Sequence, residues 1–489
     1  MSEKQPSFLD AAIPLIVLII LLSGSVFLFG DNSSYGPNQI ALFMATAVAV
    51  VIGLKNGYRW SVMEKAMVKG ISLSLGAVLI LLSVGALIGT WMLSGTVPTL
   101  IYYGLQLLSP SWFYAASCLL CGIVAMSIGS SWTTAATIGV ALIGVAAGLG
   151  LSPAITAGAI VSGAYFGDKI SPLSETTNLA PAVAGADLFD HIRHMLWTTV
   201  PSFVIALLLF TIVGFNSDVS SDFARIDEIT SVLQDNFAIS FVSLIPLFVL
   251  LTMAIKKVPA FPTVFIGALL GAVWAVLFQQ DLLGRLIAAD VPSALGITKL
   301  IWHTLHAGFT IDTGNASLND LLSGGGMSSM LNTIWLVFSA MMFGATIEKI
   351  GLLRKFVSSI LHFARSTGSL ITSTIATCFV TNVLTADQYM SIVMPGRMYK
   401  EEYERRNLAP VNLSRTLEDG GTITSPLIPW NTCGAYMHSV LQVSPLDYAF
   451  YAFFNLINPV LAIIYAYCGI KILKLTPPDS LLQPTQAKA

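Results

Sequence analysis

The chain has 489 residues, of which 55% are hydrophobic and only 10% charged; its mean hydropathy is +0.77 and its formal net charge −2. Soluble domains carry roughly a quarter charged residues, so this composition excludes a soluble enzyme or a nucleic-acid binder and leaves a polytopic membrane protein. In such a chain the placement of Lys and Arg carries information and their total does not.

A span needs about 20 apolar residues. Residues 9–30 are apolar, longer than a secretory h-region and without a small-residue cleavage pattern, so they read as a retained first span. A second span covers 40–54. Lys55, Arg59, Lys65 and Lys69 then mark a cytoplasmic loop, which puts the N-terminus inside as well. A third span covers 71–93, and the uncharged 96–110 lies at the outer interface. Residues 112–150 are too long for one crossing and are interrupted by the small polar run 127–134. They read as a re-entrant hairpin, with two full spans as the competing arrangement, because non-helical backbone at membrane depth must be enclosed by protein or a wet cavity.

The chain crosses back over 153–185, broken by the island Gly167-Asp168-Lys169-Ile170-Ser171-Pro172-Leu173-Ser174-Glu175-Thr176-Thr177-Asn178. Charged groups at bilayer depth face protein and mark an ion or substrate path. After a cytoplasmic turn with Asp187, Asp190, His191, Arg193 and His194, a span over 197–214 completes a first unit, residues 1–216. Residues 217–236 form an acidic external linker, with Asp218, Asp222, Asp227, Glu228 and Asp235 against Arg225.

The second unit, 237–474, opens with spans over 238–255 and 261–278, joined on the inside by Lys256 and Lys257. The long segment 279–328, which includes Asp290, Asp312 and Asp320, is external. A span over 330–346 leads to cytoplasmic Lys349, Arg354, Lys355 and Arg365. A second hairpin, 368–406, has its tip at 381–388 and exits through Arg397, Lys400, Arg405 and Arg406. The broken crossing 410–439 carries Glu418, Asp419 and a second island, and a last span over 448–470 leaves residues 475–489 as a cytoplasmic tail.

Each unit thus holds five crossings and one hairpin, and an odd number of crossings inverts the second relative to the first. The expected fold is an all-α polytopic membrane protein of two inverted repeats, each of five transmembrane helices plus a re-entrant hairpin, with broken helices at the midplane. Ser171-Pro172-Leu173 recurs as Ser425-Pro426-Leu427 with Gly167 and Gly421 four residues ahead. The same offset of 254 carries Thr133 at one tip onto Asp387 at the other. Paired interrupted segments of this kind point to the midplane site of a secondary transporter.

A sodium ion prefers oxygen, so its site needs convergent carbonyls, hydroxyls, amides and at least one carboxylate. Asp168, Ser171, Ser174, Thr177 and Asn178 offer such a set at the first break. Asn382, Thr385 and Asp387 offer one at the second tip, and Thr422, Thr424, Ser425, Asn431 and Thr432 at the second break. Asp168 and Asp387 are the leading sodium ligands and exchange groups, because a carboxylate in a partly dehydrated pocket takes a proton or a cation and is destabilised with neither. Glu418 and Asp419 are second candidates; Lys169 and Glu175 are gating or pairing groups, and an ion pair between Asp168 and a cation such as Lys169 is the competing reading. His191 and His194 have the spacing of a pH sensor, but a solvated interfacial loop is the plainer reading. His303, His306, His362 and His438 receive no role, and the five scattered cysteines read as packed thiols rather than a metal or disulfide framework.

The run Ala164-Tyr165-Phe166-Gly167-Asp168-Lys169-Ile170-Ser171-Pro172-Leu173-Ser174-Glu175-Thr176-Thr177 resembles the signature of the NhaC-type sodium/proton antiporters. So do Thr385-Ala386-Asp387-Gln388-Tyr389, Leu417-Glu418-Asp419-Gly420-Gly421-Thr422 and Ser425-Pro426-Leu427-Ile428-Pro429-Trp430-Asn431-Thr432-Cys433-Gly434. The resemblance implies a prokaryotic inner-membrane exchanger, multi-pass with both termini cytoplasmic, whose substrates are Na+ (and Li+) and H+, with no cofactor and no enzymatic activity; a homodimer is compatible with it. Similar proteins also include exchangers of organic acids such as lactate and malate, so a sodium- or proton-coupled carrier of organic anions or amino acids is the alternative.

Overall fold

The computed structural model describes residues 5–216, 223–287, 293–314, 319, 321–355 and 364–475. Asp218, Asp222, Asp290, Asp320, His362 and the tail from residue 476 lie outside them, as does the side chain of Arg225. Among the described residues the fold is helical, with two isolated β-bridges and no sheet. Nine helices among the described residues are long and apolar enough to cross a membrane, or up to eleven counting two bent pairs. The chain is an all-α polytopic membrane protein.

The elements that carry the two islands are delimited by caps, and the caps repeat. The first hairpin is Pro110–Ile128 followed by Ser131–Gly148, the second Thr367–Thr385 followed by Gln388–Arg405. The first broken helix is Pro153–Ile170 plus Glu175–Ala184. The second is Pro410–Leu417, a π-helical turn Glu418–Thr422, a 3-10 turn Ser425–Leu427, and Thr432–Leu441. Side-chain N-caps fall at Ser130 and Asp387, at Ser174 and Asn431, and at Asp187 and Ser444, each pair 257 residues apart. The left-handed residues Gly129 and Ala386 at the hairpin tips, and Gly185 and Gln442 after the broken helices, keep that spacing. Pro153 and Pro410 open the broken helices at the position where a missing N–H costs nothing.

The structural register is therefore 257, not the 254 of the Ser-Pro-Leu motif. The motif slips because its triplets do different jobs: Ser171-Pro172-Leu173 is the non-helical link of the first break, whereas Ser425-Pro426-Leu427 still winds as a 3-10 turn. Ser130, not Thr133, is the counterpart of Asp387.

Packing interleaves the halves. Leu75–Leu93 lies along Ala260–Phe278 of the second half, where Trp91 Nε1 donates to Gly267 O at 3.1 Å. Conversely, Leu331–Lys349 lies along Pro37–Lys55 and Trp60–Leu73 of the first half, with Gln39 Nε2 donating to Asn332 O at 3.1 Å. The bundle is layered: 67% of the apolar window of Leu75–Leu93 is buried, against 22% for Phe8–Phe29 at the edge.

Two segments expected to be loops are helices. Phe223–Asn236 buries Ile229 and Leu233 against the first half, and Ile229 approaches Gly148. Its acidic residues conceal this i, i+4 apolar stripe in composition alone. Ser293–Ala307 packs on Leu75–Leu93, and the strap after it threads back so that Gly326 N donates to Gly85 O at 2.6 Å.

Candidate functional site

Helix Pro153–Ile170 ends because Pro172 cannot continue it, and the freed carbonyls find side-chain donors. Thr177 Oγ1, on the next half-helix, donates to Lys169 O at 2.9 Å and to Asp168 O at 3.3 Å. Ser174 caps that half-helix by accepting from Thr177 N at 3.4 Å, and Ser171 Oγ accepts from Leu173 N at 3.3 Å. Asn178 is exposed and donates to Pro172 O and Ser174 O. These groups tie the break together locally.

Asp168 turns elsewhere. Its Oδ2 accepts from Ser131 N at 2.9 Å and Ser131 Oγ at 2.6 Å, so the carboxylate sits on the N-terminus of the second arm of the first hairpin. That is a favourable place for negative charge, because unpaired N–H groups and the helix dipole point at it. The residue is buried, with 7% exposed. Its hydrogen-bond donors are neutral and Lys169 pairs with Asp419 instead, so the competing reading of an Asp168–Lys169 ion pair is overturned.

The second tip is bonded to the second break. Asn382 Nδ2 donates to Gly421 O at 2.6 Å and to Thr424 Oγ1 at 3.0 Å, while Asn431 Nδ2 donates to Asn382 O and Oδ1, both at 3.1 Å. Thr432 N donates to Ala386 O at 2.9 Å. Asp387 is half-buried and caps its own helix, accepting from Met390 N at 2.8 Å. Thr385 bonds back to Thr381 O at 2.9 Å. Ser425 Oγ donates to Gln388 Oε1 at 3.1 Å. In the 257 register, Ser425 and Gln388 are the counterparts of Asp168 and Ser131: the same bond joins break to tip in both halves, with different chemistry.

Lys169 crosses to the other half. Its Nζ pairs with Asp419, and both side chains are wholly buried. Asp419 also accepts from Asn458 Nδ2 at 2.7 Å and from Thr198 Oγ1 at 3.2 Å, and Arg415 Nε stands 3.9 Å from its Oδ2. Glu175 is exposed and accepts from Tyr389 Oη rather than serving as partner to Lys169. Glu418 and Thr422, on the π-helical turn, are fully buried; the Thr422 hydroxyl faces the Glu418 carboxyl, and among the described residues neither closes a hydrogen bond of regular geometry. Isolated π-turns recur at functional sites.

Four elements therefore interlock: break to break through Lys169–Asp419, first break to first tip through Asp168–Ser131, first break to second tip through Glu175–Tyr389, and first tip to second break through Trp132. The Trp132 ring stacks on Tyr436 at 4.1 Å, and Tyr436 Oη donates to Trp132 O at 2.9 Å. Ser131, Gln388, Thr198 and Asn458 were not legible as site residues, being ordinary small polar residues in apolar helices. His191 and His194, expected in a solvated loop, are buried instead, with His191 Nδ1 2.8 Å from Ser414 Oγ.

The model of a family described as the Na+/H+ antiporter family matches residues 163–470. The chain is 41% identical over 435 residues to a "Na(+)/H(+) antiporter NhaC" of Alkalihalophilus pseudofirmus, covering 89% of this chain and 91% of the relative. It is 39% identical to a "Malate-2H(+)/Na(+)-lactate antiporter" of Bacillus subtilis, over 95% and 96%. It is 36% identical to an "Arginine/ornithine antiporter ArcD" of Halobacterium salinarum, over 98% and 95%.

Proposed function

The chain belongs to the Na+/H+ antiporter family, and from that premise we propose that it is a secondary active transporter exchanging internal Na+, and Li+ in its place, for external H+ by alternating access. The reading rests on one observation: Asp168, buried at a helix break, is held by the backbone and hydroxyl of Ser131 and, among the described residues, pairs with no cation. An anion so placed binds a proton or a small cation and resists standing empty. A buried site that a sodium ion and a proton cannot neutralise at the same time yields antiport. Asp387, half-buried at the second tip, is the other candidate carboxylate, and Asn382, Thr422 and Thr424 supply oxygens where the second tip meets the second break.

The site belongs to an inner membrane of a prokaryotic cell, with both termini cytoplasmic and the two halves inverted about the midplane; a homodimer fits this reading. The hairpins and broken helices move against the remaining spans, and the sodium gradient or the proton gradient supplies the energy.

A second reading, a sodium- or proton-coupled carrier of organic anions or amino acids, draws on the malate/lactate and arginine/ornithine antiporters among the relatives. Helix N-termini at the breaks suit a carboxylate ligand, yet those at Ser131 and Gln388 already face Asp168 and Asp387, and Glu175 opens the next. The charge at these ends favours a cation. Proton flux into vesicles holding the purified protein, with sodium, lithium, potassium, lactate, malate and arginine added in turn, decides between them. Sodium and lithium alone are expected to drive flux. Flux that requires an organic ion overturns the main reading, and normal sodium-driven flux in Asp168→Asn removes Asp168 from it.

A further inference from the structure

Around the crossing of the two broken helices lie three buried carboxyls and two buried cations: Asp168 and Lys169 on the first, Arg415, Glu418 and Asp419 on the second. Asp419 is surrounded by donors, with Lys169 and Arg415 as counter-charges and Thr198 and Asn458 as hydrogen bonds. Asp168 receives two hydrogen bonds from Ser131. Glu418 is as deeply buried as its neighbour, yet among the described residues it pairs with no cation and has only the neutral Thr422 hydroxyl facing it, with no hydrogen bond of regular geometry closed at either oxygen. The other titratable groups facing this cluster are Cys378 from the second hairpin, Tyr403 from its second arm, Tyr465 from helix Phe453–Cys468, His191 and His194 from helix Leu188–Phe215, and Glu175, which is exposed and stands outside the count of buried charges.

With thiol, phenols and imidazoles neutral, full ionisation leaves two positive charges against three negative. A buried excess charge without a partner is costly, and it is relieved when one group takes up a proton or a cation. Two of the three carboxyls hold regular hydrogen bonds or counter-charges that serve an anion, and Glu418 has only the Thr422 hydroxyl facing it. We propose that Glu418 is a second exchange carboxyl: it carries the proton, and gives it up when a sodium ion arrives beside Asp168 and supplies the missing positive charge. One cation enters the buried cluster as one proton leaves it, so the two ligands exclude each other by charge without sharing the same oxygens.

This inference rests on the reading of the site as a sodium/proton exchanger, and its test separates the two. Infrared difference spectra of the intact protein in lipid bilayers report protonated carboxyl groups directly. In sodium-free medium the wild type is expected to show a protonated-carboxyl band that sodium removes. Glu418→Gln loses that band and lowers sodium-driven proton flux on the order of tenfold or more, while Glu418→Asp, which keeps the acid, retains both. Asp168→Asn removes one negative charge, so its Glu418 is ionised and the band is absent before sodium is added. A band that persists in Glu418→Gln, no band in sodium-free wild type, or unchanged flux in Glu418→Gln overturns the proposal. If wild type shows no sodium-driven proton flux, the exchanger reading falls, while the band and its response to pH still report on Glu418.

Discussion

The two breaks are built on one plan and have diverged in chemistry. In the first half the acid is on the break and the hydroxyl on the tip, Asp168 against Ser131; in the second the hydroxyl is on the break and the amide on the tip, Ser425 against Gln388. At the caps the exchange runs the other way, since Ser130 caps the first tip and Asp387 the second. The first break is a clean four-residue interruption, whereas the second is wound as a π-turn and a 3-10 turn and buries Glu418 and Asp419 within it. The lesson is that a repeated backbone fixes where a site lies while single side chains decide what each half contributes. Lys169, for instance, corresponds to Pro426, so the cross-half ion pair with Asp419 has no counterpart in the mirror position.

The sharpest way to break the comparison is at the paired positions themselves. Asp168→Asn is expected to abolish sodium-driven proton flux with normal insertion, while Ser425→Ala, its counterpart, lowers flux only a few-fold; equal losses would mean the halves contribute alike. Next, Lys169→Met leaves Asp419 short of its closest cation, and removing one member of a buried ion pair costs about 3–5 kcal/mol. Thermal unfolding in detergent should show this, with recovery in the double variant Lys169→Met/Asp419→Asn.

Packing offers a smaller contrast. A Cβ on Gly163 would stand 2.0 Å from Cys118 O, whereas on Gly420, its counterpart, it would stand 3.0 Å from Ile375 Cα, the residue equivalent to Cys118. Gly163→Ala should cost about 1–3 kcal/mol of stability, the usual range for overpacking, and Gly420→Ala less. A reversed order in the unfolding midpoints would show that the hairpins do not grip their broken helices equivalently. The smallest effect is at the tips: Ala386 holds φ +55°, a left-handed conformation that Gly129 adopts at φ +75° in the first half. Ala386→Gly relieves a strain of about 1–2 kcal/mol, partly offset by the entropy of glycine. A modest rise in unfolding temperature is expected.

Much of this was legible beforehand because each signal was local. The hairpin tips, both islands, and Asp168, Asp387, Asn382 and Ser425 stand out as polar groups in apolar surroundings. The register was misread because the Ser-Pro-Leu triplet draws the eye to composition, while the caps that set the register are single Ser, Asp and Asn residues. Lys169 was read beside its sequence neighbours, yet adjacent residues on a helix do not face each other, and its partner lies 250 positions away. The acidic helix Phe223–Asn236 and the buried imidazoles were missed for the opposite reason, since charge and titratable groups suggest solvent until packing shows otherwise.

The chain alone determined that this is a helical membrane protein with two interrupted helices, because a bilayer offers no partner for backbone N–H and C=O groups and every break must be written into the residues. Only the folded arrangement decided which buried charges meet. Those pairings depend on how helices from opposite halves cross, and no spacing along one helix encodes that. It gave Asp419 both cations and Glu418 neither.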